Sequence, residues 1–249
     1  MTVNKLKLND DKTEFLVITS KYHQSKPNTN SLQIASSEIV ASPNARNLGI
    51  VFDSALSMDA HIKNVCKATY FQIRNINEIR NVLDDDTAAK LVHALITSRL
   101  DNGNALLYGI TESQLKKLQQ AQNAAARMLT RTRKFDHISP VLQRLHWLPI
   151  RYRIHFKILL LTWKALHDMA PAYISELINL HNPSRQLRSS HKNLLSVPRT
   201  FSSHGDRAFY SCAPKLWNSL PADLRFCSSL DIFKKTLKTH LFKIAYDRT

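Results

Sequence analysis

Arg46-Asn47-Leu48-Gly49-Ile50-Val51-Phe52-Asp53 is the stretch that decides how this chain is organised. Leu48, Ile50, Val51 and Phe52 make a short apolar run, which predicts a strand over Arg46 to Asp53. Gly49 lies inside it. A glycine within a strand marks a bulge or the close approach of another backbone. The expectation is therefore a core strand bent at Gly49.

On its amino-terminal side the chain predicts further short strands. Phe15 to Thr19 is apolar and follows the turn-type cluster Asn9-Asp10-Asp11-Lys12-Thr13. Lys21 to Ser31 is polar, contains Pro27, and predicts a loop. Ser31 to Val40 predicts a strand or hairpin with Leu32, Ile34 and Ile39 facing inward, and Pro43-Asn44 a turn. Together these make a small antiparallel sheet with exposed edges. A few short strands are marginal alone, so the head looks like part of a larger sheet.

On the carboxy-terminal side the period changes from two to 3.6. Ile62, Val65, Cys66, Thr69, Ile73, Ile76 and Leu83 recur at helical spacing. A second helix starts after Asp84-Asp85-Asp86-Thr87 and ends at Asn102-Gly103. Thr111 and Gln114 have capping-box spacing ahead of a third, with Leu115, Leu118, Ala121, Ala125 and Met128 as its buried stripe. Pro149 precedes a helix over Ile150 to Asp168. Residues 181–203 predict an irregular linker or arm. Ser228 to Asp231, again with capping-box spacing, opens a last helix with the stripe Leu230, Phe233, Leu237, Leu241 and Ile244. The fold class is α+β, divided as 1–55, 56–135, 136–180, 181–203 and 204–249.

Charge narrows the partners. With 35 Lys and Arg against 19 Asp and Glu, the formal net charge is +16, which favours polyanions. The apolar run Ile158 to Trp163 is far short of the roughly 20 residues of a spanning helix, so no membrane is expected. Met1 to Lys5 carries no apolar signal region, and the three cysteines suit reduced thiols. The expected location is intracellular, nucleus or cytoplasm. Four glycines cannot build a phosphate-binding loop.

Candidate chemistry is sparse. Asp84, Asp85 and Asp86 could suggest a metal cluster, but negative charge at a helix start caps free amides. Ser203, His204 and Asp206 are too crowded in sequence for a triad and predict a loop turn. No zinc spacing occurs among the 11 histidines and the cysteines, so no metal is assigned. Two basic groups remain. Arg127, Arg131, Arg133 and Lys134 form one. Arg144, Arg151, Arg153 and Lys157, interleaved with His146, Trp147, Tyr152 and Phe156, form the other. Such groups can neutralise phosphates and stack on unpaired bases. The alternative is that the arginines are solvated and that Trp147 and Phe156 pack into the core.

Leu6-Lys7-Leu8-Asn9-Asp10-Asp11-Lys12-Thr13-Glu14-Phe15-Leu16-Val17-Ile18, taken with the 46–53 stretch, resembles the last palm segments of a non-LTR (LINE-type) retrotransposon reverse transcriptase. The first looks like the family's Asn-x-x-Lys-Thr segment, the second like its Leu-Gly primer-grip turn. Ser98-Arg99-Leu100-Asp101, Asn104-Ala105-Leu106-Leu107-Tyr108-Gly109, Leu145-His146-Trp147-Leu148-Pro149, Gly205-Asp206-Arg207-Ala208-Phe209 and Ala213-Pro214-Lys215-Leu216-Trp217-Asn218-Ser219-Leu220-Pro221 look like the family's post-palm region. The likeness covers nearly the whole chain. Asn102-Gly103 departs from it, because related elements commonly carry Tyr-Cys there. The family's Tyr/Phe-Ala-Asp-Asp active-site turn does not occur in this chain.

The resemblance implies the end of a polymerase palm followed by a helical thumb and a C-terminal region. It places Lys12 near the incoming nucleotide and Leu48, Gly49 and Ile50 at the primer grip. It implies no catalytic residue and no cofactor in this chain, although the parent family uses Mg2+. The expected partner is RNA or an RNA–DNA template-primer, held weakly and without sequence preference by Arg127, Arg131, Arg133, Lys134, Arg151 and Arg153. A protein partner could instead cover the incomplete sheet. The other expectation is a helical structural or interaction module, or a translated element fragment with no selected function.

Overall fold

The computed structural model describes residues 9, 12–19, 30–34, 37–181 and 193–247. The architecture is α+β, with short antiparallel hairpins first and helices after them. The chain forms two compact units, Met1–Lys67 and Ala68–Thr249, and the boundary falls within the first long helix.

In the first unit, β1 (Ser31–Ile34) pairs with β2 (Ser37–Val40), and β3 (Asn44–Asn47) with β4 (Ile50–Asp53). These are two separate two-stranded sheets and not the single sheet expected. Arg46 to Asp53 is not one strand either. Asn47 pairs with Ile50, which leaves Leu48-Gly49 as a two-residue turn. Both turn residues have positive φ, 48° and 85°. That is the requirement of a type I′ turn, whose twist matches the strands it joins. Gly49 thus reverses the chain where a bend was expected.

Among the described residues Phe15 to Thr19 makes no ladder, where a strand was expected, but only an isolated bridge from Phe15 to Ala41. Its ends are tied: Ser42 N–H donates to Phe15 O at 2.7 Å, and Thr19 N–H to Ser54 O at 3.0 Å. Ile34 and Ile39 are half-buried as expected, but Leu32 is exposed. The loop expected over Lys21 to Ser31 lies almost wholly outside the described residues. Beyond β4, the Asp53 carboxylate accepts from Ala55, Ser57 and Met58 N–H at 3.2, 2.8 and 2.7 Å. It fixes the chain entering α1 (Asp59–Ile79).

The helical stripes hold in the second unit. Thr69 and Ile76 of α1 are buried. Asp84 caps α2 (Asp85–Val92), accepting from Thr87 N–H and Oγ1 at 2.8 Å each. The helix continues through a π-helical turn, His93–Thr97, into α3 (Ser98–Asp101) and stops at Asn102-Gly103 as predicted, Gly103 having φ 62°. A 3-10 turn follows over Asn104–Leu107. The Thr111–Gln114 capping box opens α4 (Glu112–Thr130), which buries Leu118, Ala121, Ala125 and Met128. Next come α5 (Ser139–Arg144) and α6 (Ile150–Leu166), with Pro149 just before α6.

After α7 (Ala172–Ser175), residues 182–192 of the expected linker lie outside the described residues. Residues 193–195 are no free arm. Leu195 is buried, and its backbone exchanges two 2.8 Å bonds with the Asn218 side chain. Ser203–Arg207 is a short helix, α8, with Ser202 as its cap, where a loop turn was expected. Then come α9 (Phe209–Asn218), α10 (Ala222–Arg225) and α11 (Leu230–Tyr246). Ser229 caps α11 without a side-chain bond, so the capping box expected there does not form.

Trp163 of α6, Trp217 of α9 and Phe233 of α11 are fully buried together. Ring centroids lie 5.7 Å apart for Trp163–Phe233 and 6.0 Å for Trp217–Phe233. Both indole N–H groups are satisfied, by Cys227 O and Asn193 O at 2.9 Å. Segments read as separate, 136–180 and 204–249, therefore share one core. Among the described residues no helix is long and apolar enough to cross a membrane.

Candidate nucleic-acid interface

Helix ends build the strongest candidate. Past the end of α1, Arg80 is only 3% exposed. Its guanidinium donates to Leu83 O at 3.0 Å, to Leu129 O at 2.8 Å and to the Asp85 carboxylate. Arg131 ends α4 in the left-handed region, φ 54°, and donates to Arg80 O at 3.3 Å. A helix exposes unpaired carbonyls at its C-terminus, and cations there satisfy both the carbonyls and the dipole. The same cations line a groove of about 520 Å3 with Asn77, Asn81, Arg127 and Lys134.

The six basic residues singled out from sequence divide three ways. Arg127, Arg131 and Lys134 meet at the groove. Arg127 also holds the following loop through the Arg133 and Asp136 carbonyls. Arg133 is exposed beside it, its backbone N–H bonded to Asp136 Oδ2 at 3.1 Å. Lys134 lies 5.7 Å from the ring of Phe135, itself almost fully exposed.

Arg151 and Arg153 do not join the groove. Arg151 pairs with Glu112 at 2.5 and 2.7 Å. Arg153 makes a two-armed pair with Asp101, Nε to Oδ1 at 2.8 Å, and its side chain is mostly buried. Arg153 is therefore committed to the wall of the helical core and not presented to a strand. Sequence inspection missed Arg80, Asn77 and Asn81. The available signal was a cation placed where an apolar stripe ends.

The first unit carries the other two predicted positions. Leu48 is 91% exposed at its turn while Ile50 is buried. Lys12 is exposed, in a turn closed by its own N–H to Asn9 O at 3.2 Å and by Thr13 Oγ1 to Asn9 O at 2.9 Å. Asp10 and Asp11 lie outside the described residues. Glu14 accepts from Arg46 N–H at 2.6 Å, which ties the Asn9–Thr13 turn's segment to β3, two residues before Leu48.

A second concave feature of the helical unit holds Trp147, Phe156, His146, Arg153 and Lys157 on one cavity of about 450 Å3. Trp147 and Phe156 are half-buried, between the two readings weighed for them.

The acidic run offers no metal site. Asp84 caps α2, and hydrogen bonds from Thr87 hold its carboxyl below the usual range. Asp85 pairs with Arg80, and Asp86 with Lys90 at 2.5 Å. Among the described residues no group of His, Cys, Asp and Glu is arranged to hold a metal ion. No protein-family model, curated protein or solved structure matches the chain.

Proposed function

We propose that this chain is a palm-end and thumb remnant of a LINE-type reverse transcriptase that binds nucleic acid and does not polymerise it. One observation carries the proposal: Arg127, Arg131 and Lys134 line a single groove, whose wall is completed by the buried and internally bonded Arg80 from some 50 residues earlier. Cations gathered in a concavity attract a phosphate backbone and release its counterions, with no preference for sequence. The exposed Leu48-Gly49 turn supports the same reading, since an apolar tip on a tight hairpin suits contact with a primer strand. The sequence carries no Tyr/Phe-Ala-Asp-Asp turn, and the local partners of Asp84, Asp85 and Asp86 fit capping and surface pairing at the start of α2, which supports a chain without polymerase chemistry.

The test is binding of the purified chain to a labelled RNA–DNA primer–template across a salt series. Affinity should fall steeply with salt, with a log–log slope of about 0.7–0.9 per phosphate contacted. Arg133→Gln with Lys134→Gln should flatten that slope by one to two contacts. Absence of binding at low salt would overturn the nucleic-acid reading. Magnesium-dependent primer extension would overturn the statement that the chain does not polymerise.

A further inference from the structure

The cavity of about 450 Å3 in the helical unit has the make-up of a small-ligand site. Ligand pockets of roughly 300–1,000 Å3 combine apolar and aromatic walls with a few placed polar groups. Here Trp147, Phe156 and Leu160 supply flat and apolar surface, and Lys157 of α6 and Lys238 of α11 supply exposed positive charge.

Its walls are held in place. Trp147 sits in the turn between α5 and α6, and that turn is pinned from three sides. Gln122 donates to Leu148 O at 2.9 Å, Ile150 N–H donates to Gln119 Oε1 at 2.9 Å, and the Tyr246 hydroxyl donates to Trp147 O at 2.6 Å. A ring presented by so constrained a turn loses little freedom when a ligand stacks on it. His93, also on the lining, opens the π-helical turn of the α2–α3 helix, and such turns are frequent at functional sites.

Asn104 adds an unmet demand. It is 4% exposed, and its Nδ2 donates to Asp101 Oδ1 at 3.2 Å. Because Asp101 is ion-paired with Arg153 its carboxylate only accepts, so the amide nitrogen must face it and the amide oxygen is fixed as the other atom. That Oδ1 is buried with no protein partner. A buried acceptor without a donor is costly, and this one marks strain in the cavity wall.

We propose that this cavity binds a nucleotide unit, its base against Trp147 and Phe156 and its phosphate on Lys157 and Lys238. A metal ion is disfavoured because Asp101 is neutralised by Arg153. A purely apolar ligand would leave two lysines unanswered. The unit could come from a free mononucleotide or from an unpaired nucleotide of a strand. The proposal uses residues separate from the basic groove and stands or falls independently of it.

Titration calorimetry on the full chain tests it, with 5′-AMP, adenosine, inorganic phosphate and a short single-stranded RNA as probes. Saturable 5′-AMP binding, weaker for adenosine and absent for phosphate, is expected. Lys157→Ala and Lys238→Ala should each weaken it about tenfold, the scale of one charge-assisted hydrogen bond. Trp147→Phe, which retains a ring, should weaken 5′-AMP and adenosine alike, and Lys117→Gln on exposed α4 should change neither. Binding of the RNA alone, sensitive to Lys157→Ala and Trp147→Phe, would identify a strand as the source and support the pocket. Loss of all binding, equal affinity for phosphate and 5′-AMP, or indifference to both Trp147→Phe and Lys157→Ala would overturn the proposal. Unchanged melting curves separate lost binding from lost folding.

Discussion

The guanidinium of Arg80 donates to the carbonyl of Leu129 at 2.8 Å, joining positions 49 apart in sequence. The side chain of Arg131 returns the contact, donating to Arg80 O at 3.3 Å. Each arginine thus satisfies backbone at the end of the other's helix. Arg80→Ala would leave the Leu83 and Leu129 carbonyls without that donor in a buried place. Bonds from a charged group contribute about 1.5–3 kcal/mol each, so the loss should be about 3 kcal/mol. Urea unfolding of Arg80→Ala against the unaltered chain measures it. An unchanged midpoint would show that the clasp carries no stability.

Leu48 occupies a left-handed position that favours Asn or Gly, and it is exposed there. Left-handed backbone costs an ordinary side chain about 1–2 kcal/mol. Leu48→Asn should therefore stabilise the chain by about 1 kcal/mol, while lowering affinity for a primer–template. Gain of stability with no loss of affinity would leave the strain without a role in binding.

Arg153 and Asp101 form a two-armed pair whose arginine is mostly buried. Removing one partner strands the other's charge. Asp101→Ala should cost about 2–3 kcal/mol, below the cost of a fully buried pair because the carboxylate is partly solvated. Arg153→Met should be milder, because it keeps most of the packing and removes the charge. A double-mutant cycle with thermal unfolding as readout gives the coupling.

Burial, and then the positive field of Arg151, hold the His155 imidazole down to about 4. Its ring is flanked by Tyr108 and Tyr152, with centroids 5.9 Å away. An unfolded histidine titrates near 6.5, so the unfolded state binds the proton first. Stability from the neutral ring is complete above 6.5, falls as pH drops below it, and is gone below about 4. The span is worth about 3 kcal/mol. Burial lowers His61 in the same direction. Unfolding free energy measured from pH 7 to pH 4 should fall accordingly, and His155→Gln should remove most of that slope.

The sequence by itself determined what depends on neighbours in the chain. Period 3.6 with Thr111, Asp84 and Pro149 at the starts placed the helices, because capping and amphipathic burial act over a few residues. Asn102-Gly103 stopped a helix for the same local reason. The 46–53 run was legible as apolar but not as a turn, since Leu48 has no intrinsic liking for positive φ and is held there by the pairing of β3 with β4. Tertiary structure alone decided the rest. It drew Arg80 into the groove, joined Arg153 to Asp101 across 52 positions, and set Trp147 and Lys238 on one cavity. Charge and aromaticity can be counted along a chain. Whether a cation is tied to a carboxylate, closed over a carbonyl or left facing a cavity depends on which helices pack together, and no local pattern in the sequence records that.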